Sequence, residues 1–173
     1  MGLTIRAETP EDYSHIYRIT EAAFGQKNDA VLVDLLRAAE HFDPELSLVA
    51  EKDGAVVGHI LFYPMDIELD AGGEYEVLSL APVSVAPEHQ RTGIGGRLIR
   101  DGLARGRERG HPAVVLVGHP DYYPRFGFGR ASSWGLRLPF EAPDEAFMAM
   151  ELAPGALDGK AGVVRYPPQF AEV

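Results

Sequence analysis

The sequence predicts a mixed α+β fold whose sheet is mostly antiparallel and holds one parallel βαβ unit. Three observations lead there. Lys52-Asp53-Gly54 separates apolar runs at 46–51 and 55–63, and Asp-Gly is the pair that a tight hairpin turn favours. A second turn, Asp70-Ala71-Gly72-Gly73, leads into an uncharged run at 77–86 that reads as a buried strand. That run is followed by a turn, a helical stretch to about Arg109, the stop signal Gly110-His111-Pro112, and another buried run at 114–117. Strand, helix and strand in this order pair in parallel through a right-handed crossover.

The remaining elements have local reasons. Residues 3–6 alternate as a first strand, and Thr9-Pro10-Glu11-Asp12 starts a helix, with proline first and acids in the first turn. Ile16, Ile19 and Ala23 form its apolar stripe, which residues 24–29 break. A second helix runs to about Glu40, with Val31, Leu32, Leu35 and Leu36 as its buried face. Gly58, inside the second hairpin strand, marks a bulge. Beyond Phe128, residues 134–138 and 146–151 are expected as an antiparallel pair at one sheet edge, and 162–166 as a last strand. Repeats, low-complexity tracts and linkers are lacking, so residues 1–173 read as a single domain.

Composition removes several functions. The 173 residues include no Cys, which excludes disulfides, Cys-rich zinc sites and a cysteine acyl-enzyme. The six histidines form no pair at i, i+4 and no metal-ligand cluster with carboxylates, so no metal is expected. A net charge of −10 argues against a nucleic-acid surface. The N-terminus lacks a basic-then-apolar leader, Arg6 stands where a myristoylation signal needs Ser or Thr, and the run near Val77 is too short to span a bilayer. A soluble, cytoplasmic protein without membrane contact is the expectation.

The most informative stretch is Gln90-Arg91-Thr92-Gly93-Ile94-Gly95-Gly96, between the run at 77–86 and the helix. A helix start offers backbone N–H groups without intrahelical partners and a partial positive charge, and glycines there let a phosphate approach. Three glycines in four positions weaken a helix by roughly 1 kcal/mol each against alanine, and a merely structural turn needs one of them. A Walker A loop requires Gly-Lys-Ser/Thr, but Arg97 and Leu98 follow Gly96; a dinucleotide fingerprint from Gly93 requires a third glycine at Leu98. The spacing Gln-x-x-Gly-x-Gly after a strand instead resembles the acyl-CoA-binding motif of the GNAT family of N-acetyltransferases. A second segment supports the resemblance: Tyr122-Tyr123-Pro124-Arg125-Phe126-Gly127-Phe128 looks like the branch of small bacterial-type predicted acetyltransferases, with Tyr123 four residues before Gly127. The two segments span about 77–128, and the flanking order of elements, β-α-α-β-β-β-α-β-α-β-β, also fits that fold.

The resemblance implies acetyl-CoA as cosubstrate and direct transfer of its acetyl group to a primary amine of a small-molecule or peptide acceptor. It implies that Gln90, Arg91, Thr92, Gly93, Ile94, Gly95 and Gly96 hold the pyrophosphate, and that Val83 and Val85 offer backbone N–H and C=O groups to the pantetheine arm. Arg91 and Arg97 are candidates for added charge, while Arg105, Arg107 and Arg109 lie too far along the helix and complement its dipole. Tyr123 is the candidate general acid, or hydrogen-bond partner, for the leaving thiolate; packing under the Gly-Phe turn is its purely structural alternative. For the base, Glu21, Glu74, Glu76, His119 and a water relay stay open. His119-Pro120-Asp121 stands where the family often has an asparagine, a departure in the segment that meets the cofactor. A non-catalytic acyl-CoA-binding sensor or regulatory module is the alternative function, and assembly as a homodimer is open.

Overall fold

Residues 2–173 are described by the computed structural model. Strand β1 (Leu3–Ala7) is followed by a single 3-10 turn at Pro10–Asp12, helix α1 (Tyr13–Phe24) and helix α2 (Asn28–Arg37). Strands β2 (Ser47–Lys52) and β3 (Ala55–Leu69) form the expected hairpin, and Asp53 (φ 51°) and Gly54 (φ 80°) both take the left-handed conformation of its two-residue turn. Its register shifts between Ala50 and Glu51, opposite Gly58 and Val56, so Val57 is the extra residue of a bulge beside the predicted glycine. Next come β4 (Glu74–Val85), α3 (Ile94–Glu108) and β5 (Ala113–Val117), then short strands β6 (Gly129–Arg130) and β7 (Leu136–Arg137), and finally β8 (Phe147–Glu151) and β9 (Gly162–Arg165). Pairing runs β1-β2-β3-β4-β5-β8-β6, with β9 joined to β3 and β7 to β9. The sheet is mixed and mostly antiparallel, and β4 and β5 are parallel as predicted.

Several expectations are corrected. Residues 134–138 and 146–151 do not pair. β8 instead lies antiparallel to β5 and β6, while β7 lies parallel to β9, a second parallel contact outside the βαβ unit. The helix expected at residue 9 begins only at Tyr13, after the 3-10 turn, and α2 stops at Arg37 rather than Glu40. The element before Gly127 is a 3-10 turn, Tyr123–Phe126, because Pro124 removes an amide donor and Gly127 takes φ 108°. β3 passes through Pro64 instead of ending at Tyr63; its later residues gain a partner in β9, with Asp66 opposite Arg165 and Leu69 opposite Gly162.

Two compact units emerge from the contacts. The first comprises residues up to Tyr63, Ala81–Arg105 and Pro168–Val173. Within it, Ile16, Leu32, Val33, Leu36, Val49, Leu61 and Tyr63 form an apolar cluster, which takes Ile16, Leu32 and Leu36 of the expected stripes and adds Val33, while Ile19, Ala23, Val31 and Leu35 are only half-buried. A polar network is buried in the same unit. Arg37 donates two hydrogen bonds to the Glu8 carboxylate (2.7 and 3.0 Å), and Ser47 donates a third (2.6 Å). With the Ser47 proton committed to Glu8, the 2.8 Å contact between Ser47 Oγ and His59 Nε2 requires His59 to donate from Nε2. The other ring nitrogen, Nδ1, is buried and has no hydrogen-bond partner among the described residues. Burial works to raise the Glu8 carboxyl, but the hydrogen bonds from Arg37, His59 and Ser47 outweigh it and hold the group at about 2. Burial lowers His59 against the opposing hydrogen bond from Glu8.

The second unit comprises Pro64–Leu80 and Gly106–Pro167. Its ladders join β5 to β8 over five residues and β3 to β9 over four. Tyr75 donates to the Ala156 carbonyl (2.9 Å), Arg107 Nε to the Leu152 carbonyl (2.9 Å), and the Leu157 amide to Glu151 (2.8 Å), fastening the irregular chain after β8. A 3-10 turn at Ala131–Trp134 links β6 to β7. Among the described residues, no helix is long and apolar enough to cross a membrane.

Candidate active site

The chain leaves β4 through a 3-10 turn at Pro87–His89 and enters α3 at Ile94. Gln90 Nε2 donates to the Val85 carbonyl (3.0 Å), and Thr92 Oγ1 donates to the His89 carbonyl (2.6 Å). These side chains fold the turn rather than project from it. Arg91 (φ 63°) and Gly93 (φ 88°) adopt left-handed backbone, which Arg91 holds at some strain and glycine holds freely. The Gly93 carbonyl accepts the first α3 bond, from the Arg97 amide (3.1 Å). Consequently the N–H groups of residues 91–96 have no hydrogen-bond partner among the described residues. Six consecutive open donors at the start of a fifteen-residue helix form a site for a polyanion. Ile94 and Gly96 are buried and anchor the helix start, whereas Arg91, Thr92, Gly93 and Arg97 are exposed. Neither Arg91 nor Arg97 is engaged by an acid among the described residues, so both charges are available to a phosphate. Arg105 is not free in this way, since it reaches Glu45 at 3.4 Å.

Upstream, Val83 and Val85 are half-buried on β4. The Val85 carbonyl, one of the backbone groups expected to meet a ligand, already accepts from Gln90. Ser84, between them, is buried and shares a hydrogen bond with Thr20 of α1 (3.1 Å). The parallel pairing of β4 with β5 covers two rungs, Leu78 with Val114 and Ser79 with Val115. At the last rung the Ser79 hydroxyl is buried without a hydrogen-bond partner among the described residues. Sequence reasoning did not single out this orphan group for its burial, since one serine in an apolar strand carries no local signal.

In the second unit, Tyr123 opens the 3-10 turn after β5. Its ring packs edge-on against Tyr122 (5.1 Å between centroids) and Phe128 (6.0 Å). A Cβ on Gly118 would lie 2.6 Å from Tyr123 Cε2, so glycine at the end of β5 is what admits the ring. Gly118 was missed from sequence, where it reads as an ordinary strand exit. Burial, with a smaller contribution from Tyr122, pushes the Tyr123 hydroxyl up to about 12, which keeps it protonated near neutrality. Tyr122 differs, because Arg125 covers its ring (4.7 Å) while donating to its carbonyl (2.9 Å). The base candidates gain no support from their surroundings. Glu21, Glu74, Glu76 and His119 are all exposed, and Arg165 engages Glu74 at 2.8 Å.

Residues 4–131 match the family model described as an acetyltransferase (GNAT) domain. The chain is similar to the N-acetyltransferase YhbS of Escherichia coli K12, with 34% identity over 169 residues that cover 97% of this chain and 98% of that protein. YhbS solved in complex with CoA superposes with a TM-score of 0.90, covering 98% of this chain and 92% of that one. A GNAT family acetyltransferase from Brucella melitensis, solved with acetyl-CoA, is 40% identical with a TM-score of 0.79 and 98% coverage of both chains.

Proposed function

The chain belongs to the GNAT acetyltransferase family, and from that premise we propose how its own residues divide the reaction. It is an acyl-CoA-dependent N-acetyltransferase: acetyl-CoA is the cosubstrate and the acceptor bears an amine. The whole of 1–173 acts as one acetyltransferase domain. The open N–H groups of 91–96 carry the reading of the cofactor site. They receive the pyrophosphate, Arg91 adds charge, and Gln90 and Thr92 keep the turn in shape. The amides of Val83 and Val85 hold the pantetheine arm as an added strand holds its neighbour.

Transfer is direct, since the chain has no thiol to carry the acetyl group. The neutral amine nitrogen attacks the thioester carbonyl. As the tetrahedral intermediate collapses the C–N bond remains and the C–S bond breaks, the nitrogen gives up a proton to water, and the sulfur leaves as a thiolate that takes its proton from water. Tyr123 acts at the sulfur. A hydroxyl held at about 12 is roughly three units less acidic than a thiol of the cysteine type. Outright donation to a relaxed thiolate is therefore uphill, and the hydroxyl serves by a hydrogen bond that strengthens as charge builds on sulfur. The acceptor is a small-molecule or peptide amine rather than a nucleic acid, in keeping with the charge of −10.

Two variants test this assignment. Gly95→Glu sets a carboxylate among the open amides, and calorimetry should show CoA affinity reduced by at least about 10²-fold; unchanged affinity in the folded variant removes the pyrophosphate assignment. Tyr123→Phe keeps the ring and removes the donor, so kcat should fall by about 10²-fold, the low end of general acid effects, with CoA affinity retained. Tyr122→Phe should turn over like the parent, and the reverse pattern would transfer the role to Tyr122.

A further inference from the structure

The two halves of the proposed cofactor site meet at a tight junction within the first unit. Three consecutive residues at the end of β4 are each tied to a different element. Ser84 Oγ shares a hydrogen bond with Thr20 Oγ1 of α1 (3.1 Å), and the Val85 carbonyl accepts from Gln90 of the glycine turn (3.0 Å). The Ala86 amide donates to the Val57 carbonyl of β3 (2.8 Å). Gly58 shows how little room is left. A Cβ there would lie 3.2 Å from the Ser84 carbonyl oxygen, 3.2 Å from Ile94 and 3.1 Å from Leu98, the latter two at the start of α3. The strand end that bears the Val83 and Val85 amides and the helix that bears the amides of 91–96 are thus set against each other across this glycine.

Of the three ties, only the one to Thr20 is made by two side chains. Both are buried, Thr20 fully and Ser84 to 3% exposure. A buried hydroxyl pair is a poor source of stability, because two apolar groups of the same shape serve nearly as well. What it supplies is direction, since the bond holds only while α1 and β4 keep one separation and one orientation. The end of β4 needs such a restraint. Its rungs with β5 stop at Ser79 and Val115, so residues 83–85 have no rung with that neighbour.

We propose that Thr20 is a positioning residue for the cofactor. Through Ser84 it holds the end of β4 in the placement that lets the Val83 and Val85 amides take the pantetheine arm while the amides of 91–96 hold the pyrophosphate. The inference rests on the cofactor reading given above. Thr20 itself touches no part of CoA in it. Its effect comes from the covalent link between the two halves of CoA: each half, once bound, raises the local concentration of the other at its own subsite. That advantage shrinks when the subsites drift apart.

Thr20→Val keeps the branched shape of the side chain and deletes the hydroxyl. Calorimetry should show CoA binding weakened about tenfold, the scale of one hydrogen bond. Adenosine 3′-phosphate 5′-diphosphate, the portion of CoA that ends at the pyrophosphate, should bind the variant as it binds the unmodified protein. Thr20→Ser retains the hydroxyl and should restore most of the CoA affinity. Ser84→Ala should reproduce the loss, and the double variant Thr20→Val, Ser84→Ala should lose no more than either single one, because all three remove the same bond. The double variant also leaves no hydroxyl unpaired, so it carries the test where a single variant fails to fold. An equal fall for CoA and the nucleotide, CoA affinity unmoved in the folded variants, or losses that add in the double variant overturns the positioning role while leaving the cofactor site standing. Nucleotide affinity indifferent to Gly95→Glu would instead strike the pyrophosphate assignment, and the positioning role would fall with it.

Discussion

Arg37 and Glu8 in the first unit, and Arg137 and Asp70 in the second, are two-pronged ion pairs of nearly the same dimensions. The former pair bonds at 2.7 and 3.0 Å and the latter at 2.6 and 3.0 Å. Solvent separates them. The Arg37 and Glu8 side chains are 10% and 2% exposed, and those of Arg137 and Asp70 are both 52% exposed. Beyond the pair, Glu8 also serves Ser47 and His59, whereas the shared ion pair of the second unit, Arg165 between Glu68 and Glu74, remains at the surface. The lesson is that geometry alone does not rank ion pairs. A buried carboxylate whose hydrogen bonds are removed has no water to turn to, and an exposed one does.

Removing one partner should therefore give opposite outcomes in the two units. Arg37→Ala leaves Glu8 buried and uncompensated and should destabilise the fold by about 3–5 kcal/mol, seen as a large fall in Tm or as failure to accumulate folded protein. A mild effect there would erase the contrast. Acid should sharpen it at intermediate strength. The unfolded chain takes up a proton at His59 below its ordinary value of 6.5, while the folded chain resists, so stability should decline as pH falls from about 6.5. Glu8, ordinarily at 4.5 and held at about 2, adds a second loss as pH drops through that interval. His59→Gln should flatten the upper limb of a Tm-against-pH curve and leave the lower one, and a curve of unaltered shape would discount the histidine. The smallest effect belongs to Arg137→Ala, which should leave Tm within error at physiological salt.

Legibility in the sequence tracks the separation of partners. The hairpin at Asp53-Gly54, the βαβ unit and the glycine turn are written in contiguous residues, because turn conformations and helix starts are local. β6 and β7 hold two residues each, too few to show a period, and their neighbours are chosen by distant chain: β7 takes β9 and leaves residues 146–151 to β5. The polar network was invisible for the same reason. Glu8, just after β1, and Arg37, Ser47 and His59, on α2, β2 and β3, are far apart in the chain, and each alone reads as unremarkable. At the site, Gln90 was read as a ligand residue, yet its observed bond goes to Val85, a fold-shaping task that spacing cannot disclose. The proton-donor candidate was found by its four-residue offset from Gly127, while Gly118, which admits its ring, was not.

Trp134 closes the 3-10 turn between β6 and β7 and is the sole tryptophan of the chain. Its emission, excited where tyrosine does not absorb, is an optical label confined to the second unit, whereas far-ultraviolet dichroism registers helices that lie mainly in the first. Acid titration followed by both signals thus asks whether the protein melts as one cooperative body. Coincident curves would mean that protonation deep in the first unit is felt at once around Trp134; a dichroic change preceding the tryptophan change would reveal two melting bodies in a single chain.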